Sequence, residues 1–182
     1  MYKEYLKLNL SQERYEHCLR TEKMAEKLCK LHNVNPIAIT AALLHDVAKE
    51  LSLDEMINLL SEDEIKEAKG LINKSILHGF AGAKLAKKVF NIENKELISA
   101  IKYHTIGKAY MSDVEKVVYI SDAIEEGRMY PNVNEIRNKV YESLDDGILE
   151  ELNYKIKYLI YEKRPIHPNA IEFRNSLMVI KW

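Results

Sequence analysis

The fold of this chain is read from one apolar stretch that contains two polar residues, Ala41-Ala42-Leu43-Leu44-His45-Asp46-Val47-Ala48-Lys49. An imidazole and a carboxylate among alanines and leucines are costly to bury unless they find a partner. Because neighbours on a helix point about 100° apart, His45 and Asp46 cannot pair with each other across one face. Both can approach a cation that lies over the edge between them. The stretch therefore predicts a helix with a metal site, whose other ligands come from elsewhere in the chain.

The composition is that of a single globular domain without a nucleic-acid partner. The 182 residues are 47% hydrophobic and 30% charged, which suits one substantial core. Lys and Arg number 27 and Asp and Glu number 28, so the formal net charge is -1. That balance argues against a protein that coats polyanions, and it leaves open a local basic pocket for a small phosphorylated ligand.

Cysteine usage and hydropathy predict a cytoplasmic protein. Cys18 and Cys29 lie on one predicted helix, which excludes a disulfide between them, and their spacing is no zinc motif. We therefore expect two reduced thiols in the core. No apolar leader follows Met1 and no run approaches transmembrane length, so we expect neither a secretion signal nor a membrane partner.

Helical periodicity dominates the chain from end to end and predicts an all-α domain. The first helix is predicted over residues 12–31, and Pro36 begins the next one, which carries the His-Asp doublet. A serine followed by a glutamate three residues later has capping-box spacing, and this predicts helix starts at Ser52, Ser61 and Ser112. Three further helices are predicted. The first starts at Ser75 or His78, the second starts at Asn94, and the third runs from Ile148 to Ile160.

Four of the six histidines and two aspartates fall on apolar helix faces. A single inward histidine is usually a core side chain with a hydrogen-bond partner. Because an unpaired buried charge is strongly destabilising, several such groups together indicate a shared cation. The inward polar residues are His17, His45, Asp46, His78, His104 and Asp122.

The chemistry of this set suits a transition metal that acts on phosphate. Imidazoles and carboxylates without a thiolate favour Fe, Mn, Co, Ni or Zn over calcium cages and soft-metal sites. An ion with four protein ligands keeps room for water and substrate oxygen, lowers the pKa of the water and polarises a phosphoryl group. The four predicted ligands are His17, His45, Asp46 and Asp122. Three roles stay open for His78 and His104, namely a second metal, phosphate binding and general-acid catalysis.

Lys49 follows the doublet by one predicted helical turn and so faces the predicted metal. A lysine at this place can neutralise the charge of a phosphate. The alternative is a lysine at a helix end, whose aliphatic stem packs on the core while its ammonium reaches solvent.

In order along the chain, His17, His45-Asp46 and Asp122 resemble the motif of the HD-domain phosphohydrolase superfamily. Longer strings resemble its YqeK-like branch, the bacterial symmetrical diadenosine tetraphosphate hydrolases. These strings are Arg14-Tyr15-Glu16-His17-Cys18, His45-Asp46-Val47-Ala48-Lys49, Leu77-His78-Gly79, Tyr103-His104-Thr105-Ile106-Gly107 and Ile120-Ser121-Asp122-Ala123-Ile124-Glu125-Glu126-Gly127-Arg128. The resemblance covers most of the chain and continues into Arg164-Pro165-Ile166-His167-Pro168 and Arg174-Asn175.

The resemblance implies one all-α HD-domain helical bundle over residues 1–182, with the tail 164–182 closing over a nucleotide site. The implied activity is that of a metal-dependent symmetrical bis(5′-nucleosyl)-tetraphosphatase. Such an enzyme splits the central phosphoanhydride of diadenosine tetraphosphate and releases two ADP. The resemblance also implies an iron-type ion, with Mn, Co, Ni or Zn as alternatives and with one or two ions per site. A homodimer is expected as well.

The site residues that the resemblance implies fall into three overlapping sets. The metal would be held by His17, His45, Asp46 and Asp122. The catalytic residues would be Asp46, Lys49, His78 and His104. The substrate would be bound by His17, Lys49, His78, His104, Thr105, Arg128, His167, Arg174 and Asn175.

Two other functions stay open on the sequence. The chain can be a different HD-type nucleotide hydrolase, acting on deoxynucleoside triphosphates, guanosine tetraphosphate or a cyclic dinucleotide. It can also be a sensor that binds metal and nucleotide without turnover. A nucleotide panel separates these functions, because ADP as the sole product identifies symmetrical cleavage, and bound metal without turnover identifies a sensor.

Overall fold

All regular structure in residues 1–179, the part of the chain that the structure describes, is α-helical. The structure is a computed structural model. In chain order the helices are α1 (Tyr2–Asn9), α2 (Gln12–His32), α3 (Ile37–Leu44), α4 (Leu53–Leu59), α5 (Glu62–Glu67), α6 (Lys74–Phe90), α7 (Lys95–Tyr103), α8 (Asp113–Ile124), α9 (Val133–Glu142), α10 (Leu144–Tyr161) and α11 (Pro168–Val179). The all-α prediction is confirmed. None of these described helices is long and apolar enough to cross a bilayer.

Side-chain caps set the predicted helix starts. Ser52, Ser61 and Ser112 each accept a hydrogen bond from the backbone N–H three residues later, and the glutamate there reaches back, so all three capping boxes are confirmed. Asn94 caps α7 as predicted. Helix α6 begins earlier than predicted because Asn73 caps it, accepting a hydrogen bond from the Ile76 N–H.

Helices α1, α9 and α11 have no counterpart in the sequence prediction. Helix α1 buries only Leu6, so its apolar stripe is too narrow to show as a periodic pattern. Helix α9 follows Asn132, whose side chain makes no capping hydrogen bond. Packing therefore decides these helices more than local signals do.

Helix α3 is the central helix and carries the chain to the His-Asp doublet. Five of its eight residues are buried, and it packs against α2, α7 and α8. A helix that is apolar on all sides belongs inside a core. The three helices around α3 therefore can bring side chains to the residues following it, and α6, which packs on α7, reaches them as well.

The prediction that His45 and Asp46 lie within a helix is wrong, because α3 ends at Leu44. His45 Nδ1 donates to the carbonyl of Ala42 at 2.7 Å, the oxygen that the Asp46 N–H would bond in a continued α-helix. The chain proceeds instead through turns with hydrogen bonds between residues three apart, such as the Lys49 N–H to the Asp46 carbonyl at 2.9 Å. Lys49 still lies beside Asp46, but through a tight turn and not along a helix face.

Close packing of α6 on α7 depends on Gly79. A Cβ at this position would lie 2.6 Å from the Lys102 carbonyl oxygen, so any side chain there would separate the two helices. Their approach sets His78, on α6, against His104, which follows the last residue of α7.

The C-terminal helices complete the hydrophobic core. Helix α10 packs against α9 and α11, and the fully buried Phe173 of α11 meets the Tyr119 ring edge-on at 5.3 Å. Cys18 and Cys29 are free and buried, as expected for core thiols. Residues 180–182 of the predicted tail lie outside the described residues.

Candidate metal centre

Six polar side chains from five parts of the fold meet at one interior point. His17 comes from α2, His45 and Asp46 from the turns after α3, His78 from α6, His104 from the end of α7 and Asp122 from α8. Five of them are buried, and 23% of the Asp122 side chain is exposed. The predicted inward set is therefore brought together, with Asp122 at the opening to solvent.

The predicted metal ligands form the first group of this centre. His17 Nε2 lies 3.1 Å from His45 Nε2 and 3.1 Å from Asp122 Oδ1. Asp46 Oδ2 lies 3.4 Å from His45 Nε2 and 3.8 Å from His17 Nε2. Two nitrogens bound about 2.1 Å from one ion and at a right angle to each other lie about 3 Å apart. The spacing of the two imidazoles is therefore that of neighbouring ligands on one ion.

The hydrogen bonds of the four imidazoles direct every Nε2 toward this centre. Each Nδ1 lies on an acceptor and so carries the hydrogen, which leaves Nε2 with a lone pair in the neutral ring. Two facing lone pairs repel, so the first group requires a cation or a proton. The acceptors are Glu125 Oε1 for His17 at 3.2 Å, and the carbonyls of Ala42 for His45 at 2.7 Å, Lys74 for His78 at 3.0 Å and Ile101 for His104 at 2.7 Å. These residues fit a metal ion.

The charge of the first group also favours a cation. Burial alone would raise the pKa of Asp46 and of Asp122, but neighbouring histidines hold the pKa of each carboxyl well below its usual range. Burial alone would lower the pKa of His17, but its hydrogen bonds to Asp122 and Glu125 raise it. Negative charge thus collects where Asp46 Oδ2 and Asp122 Oδ1 face the imidazole nitrogens of the first group.

A second group, formed by His78, His104 and Asp46 Oδ1, lies beside the first. His78 Nε2 is 2.9 Å from His104 Nε2, and Thr105 Oγ1 lies 3.2 Å and 3.0 Å from these two nitrogens. Lys49 Nζ lies 3.1 Å from His78 Nε2 and 3.3 Å from Asp46 Oδ1. The imidazole nitrogens of the second group therefore already have an ammonium and a hydroxyl as donors, whereas the cations nearest the first group contact its carboxylates. Asp46 joins the two groups through its two oxygens.

Two cations flank the opening beside the carboxylates. Arg128 Nη2 lies 2.5 Å from Asp122 Oδ1, and Arg14 Nη1 lies 2.8 Å from Asp46 Oδ2. The sequence prediction assigned Arg128 to the substrate but gave Arg14 no role. The helical spacing could have identified Arg14, because it precedes His17 by three residues and so lies on the same face of α2.

Glu125 and Arg20 are also absent from the predicted site residues, although they support His17 from behind. Burial alone would raise the pKa of Glu125, but hydrogen bonds from His17 and Arg20 lower it to about 2. Arg20 Nε donates to Glu125 Oε2 at 2.6 Å. Glu125 follows Asp122 by three residues at the end of α8, and this spacing could have predicted it as a site residue. A carboxylate behind an imidazole fixes its tautomer and makes it a stronger ligand.

Glu125→Gln is expected to weaken metal binding by about 10–100-fold, because the amide cannot match the negative charge behind His17. Titration of the apo protein with Co²⁺, followed by its ligand-field absorption, measures the change. Glu126→Gln is the matched control, since its side chain is exposed and contacts Lys23 at 3.3 Å. Equal affinities of the Glu125→Gln variant and the control would remove this role.

A cleft of about 300 Å³ opens from Thr105 toward the tail. Its walls are mostly apolar, with Lys155, Tyr158 and Arg164 among the polar members. Lys155 Nζ donates to the Thr105 carbonyl at 2.9 Å, which places its ammonium where the cleft meets the second group. His167 lines the cleft as well, and its Nε2 lies 3.2 Å from the Ala68 carbonyl.

Arg174 and Asn175 lie apart from the cleft lining. Arg174 Nε donates to Asn153 Oδ1 at 2.7 Å, and its Nη1 lies 3.4 Å from Asn175 Oδ1. Arg174 thus joins α11 to α10, and a contact with substrate stays a prediction for both residues. The other predicted site residues line the centre or the cleft, and their roles also stay predictions.

Comparison with known proteins identifies the family. Residues 14–127 match the HD domain family. A protein of Staphylococcus aureus named symmetrical bis(5′-nucleosyl)-tetraphosphatase is 32% identical over 176 residues, which cover 95% of this chain and 91% of the relative. A protein of the same name from Halalkalibacterium halodurans is 30% identical over 175 residues, covering 96% of this chain and 94% of the relative.

A solved structure is similar over almost the whole length. It is a Clostridium acetobutylicum protein described as a predicted HD superfamily hydrolase involved in NAD metabolism, with 35% identity and a TM-score of 0.89. The match covers 98% of this chain and 96% of that protein. The chain therefore belongs to the HD domain family, in the branch whose members are named symmetrical bis(5′-nucleosyl)-tetraphosphatase.

Proposed function

We propose that this protein hydrolyses diadenosine tetraphosphate at its central phosphoanhydride bond and releases two molecules of ADP. The observation that carries the proposal is the opening beside Asp122, where a metal-binding group lies together with the cations of Lys49 and Arg128. A polyphosphate needs a Lewis acid and fixed cations at its reacting phosphorus. The names of relatives that match more than nine-tenths of the chain support this substrate.

The ion would be held by His17, His45, Asp46 and Asp122. When bound, it supplies Lewis acidity that activates water and polarises a phosphoryl oxygen. Iron is our first choice, and Mn, Co, Ni and Zn accept the same donors. We propose one ion per chain, since the Lys49 ammonium already provides positive charge to the second group. Elemental analysis of protein purified without added metal measures which metal is bound and how many ions each chain holds. Two ions per chain would contradict the proposal of a single ion.

The chain's own residues bind the phosphates and move the proton. Burial lowers the pKa of His78 and of His104, so both rings are neutral near pH 7 and each Nε2 can accept a proton from water. The water oxygen joins one central phosphorus, and the bridging oxygen leaves with the other ADP. The proton taken up by the histidine then passes to solvent. Lys49 and Arg128 hold the charged oxygens while this happens.

One ADP half fits the cleft that leads from Thr105 to the tail. Lys155 and Arg164 offer cations for its phosphates, and Tyr158 offers a half-exposed ring beside apolar walls for adenine. In this arrangement residues 164–167 line the nucleotide site, which is the role predicted for the tail. The single domain over residues 1–182, the homodimer and the cytoplasmic location stay predictions, and sedimentation tests the homodimer.

Incubating the metal-loaded protein with diadenosine tetraphosphate is expected to yield ADP as the only nucleotide product, because the bond over the metal is the central one. Chromatography of the products measures this. AMP together with ATP would contradict central cleavage. Turnover of only deoxynucleoside triphosphates, guanosine tetraphosphate or a cyclic dinucleotide would mean that this nucleotide, and not diadenosine tetraphosphate, is the substrate. Metal retained without any turnover would identify a sensor.

A further inference from the structure

A second cleft, of about 250 Å³, runs along α2 on the far side of Glu125. We call it the α2–α9 groove, and it is lined by Arg20, Lys23 and Lys27 of α2 and by Arg137 and Tyr141 of α9. Lys27 follows His17 by ten residues, so the groove extends about 15 Å along the helix from the metal centre. Arg20 supports His17 through Glu125, and the other residues that line the groove have no place in the function proposed above.

The groove and the metal centre share the carboxylate of Glu125. One of its oxygens lies 3.2 Å from His17 Nδ1 and 3.8 Å from Arg128 Nε, and the other accepts from Arg20 Nε at 2.6 Å. The Arg20 guanidinium rests on Gly127, where a Cβ would lie 2.7 Å from Arg20 Nε. Arg128 and Arg20 thus stand on either side of one carboxylate, and positive charge continues from the opening into the groove.

The groove carries more positive charge than its partners neutralise. Four cations line it, and Glu126 is its one lining carboxylate in the described part of the chain. Lys23 pairs with Glu126 at 3.3 Å, but the two side chains are 70% and 64% exposed, and such pairs contribute little. The Lys27 ammonium has no carboxylate partner among residues 1–179 and lies 3.7 Å from the centre of the Tyr141 ring. A phosphate or a purine can replace this exposed contact.

Arg137 plays a different part, because it binds the backbone carbonyls of the turn that follows α8. Its Nη2 donates to the Glu125 carbonyl at 2.7 Å and to the Arg128 carbonyl at 3.1 Å, and its Nε donates to the Ile124 carbonyl at 2.9 Å. The guanidinium is therefore largely occupied by backbone. The groups left for a ligand are Arg20, Lys23 and Lys27, with Tyr141 at the distant end.

We propose that the α2–α9 groove binds the second ADP half of the dinucleotide, the half that leaves when the central bond breaks. This rests on the proposed function. Arg20 and Lys23 contact its phosphates, and its adenine lies against Tyr141 beside Lys27. One ADP half then occupies the cleft beyond Thr105 and the other occupies the groove, so the bond that lies over the metal is the central one.

The proposal is tested with Lys27→Glu and Tyr141→Ala, which alter the adenosine end of the groove and leave the metal centre untouched. Both are expected to raise the KM for diadenosine tetraphosphate about tenfold, since base–aromatic stacking and an attractive charge are lost. The inhibition constant of adenosine 5′-tetraphosphate, which lacks the second adenosine, is expected to change less than about twofold. Metal content is expected to stay at the wild-type value.

Lys88→Glu is the matched control, because it makes the same charge change at an exposed position of α6. Wild-type KM values in both groove variants would overturn the groove as a binding site while leaving the proposed function intact. An equal rise for the dinucleotide and for adenosine 5′-tetraphosphate, or an equal rise in the control, would also overturn it. A wild-type protein that does not cleave diadenosine tetraphosphate would overturn the proposed function and this proposal together.

Discussion

Asp46→Asn is expected to remove the bound metal and to lower turnover by at least about a thousandfold, because Lewis acidity contributes about 4 kcal/mol or more to such a transition state. The asparagine keeps the size of the side chain but loses the negative charge. It also places an amide group, with its neutral oxygen and its N–H donors, among four imidazoles whose nitrogens face inward. Elemental analysis and steady-state kinetics measure the two losses on the same preparation.

We expect this large effect because the Asp46 carboxylate contacts both groups of the centre. Its Oδ2 faces His17 and His45, and its Oδ1 faces His78 at 3.1 Å. Asp63→Asn is the matched control, since its side chain is 93% exposed and pairs with Lys66 on the surface. A folded Asp46→Asn variant that keeps one ion per chain, judged by circular dichroism and elemental analysis, would contradict the ligand assignment.

Lys49→Met is expected to lower kcat by about 10²–10³-fold while the protein keeps its ion, as when one fixed donor is removed from a developing charge. The methionine retains much of the aliphatic stem but not the ammonium beside His78 Nε2 and Asp46 Oδ1. Metal binding should survive because Lys49 is not among the proposed ligands. Single-turnover kinetics with a parallel metal determination separates the two effects.

Lys88→Met, at an exposed position of α6, controls for the loss of one positive charge. An unchanged kcat in the Lys49→Met variant would mean that the ammonium beside His78 and Asp46 takes no part in turnover, and it would remove the phosphate role proposed for this lysine. Loss of the ion together with activity would instead mean that Lys49 supports metal binding. The proposal that the first group holds the metal while Lys49 acts on the phosphates from the second group would then be wrong.

Much of the centre was predictable because its signals are local. The histidines and aspartates stand out as polar residues on apolar helix faces, and that pattern needs only a period of 3.6 residues. Capping boxes at Ser52, Ser61 and Ser112 likewise depend on residues three apart. The end of α3 was missed because the competing hydrogen bond, from His45 Nδ1 to the Ala42 carbonyl, depends on a side-chain orientation that helical periodicity does not indicate.

By itself the sequence determined the fold class, the capped helix starts at Ser52, Ser61 and Ser112 and the chemical identity of the predicted metal ligands, since each follows from short-range periodicity or from residue type. Tertiary structure alone decided that Glu125 stands behind His17, 108 residues away, that Arg14 reaches Asp46, and that a basic groove starts at the same carboxylate. Such contacts depend on how α2, α8 and α9 pack, and a packing angle is set by many side chains at once. No single stretch of the chain encodes it.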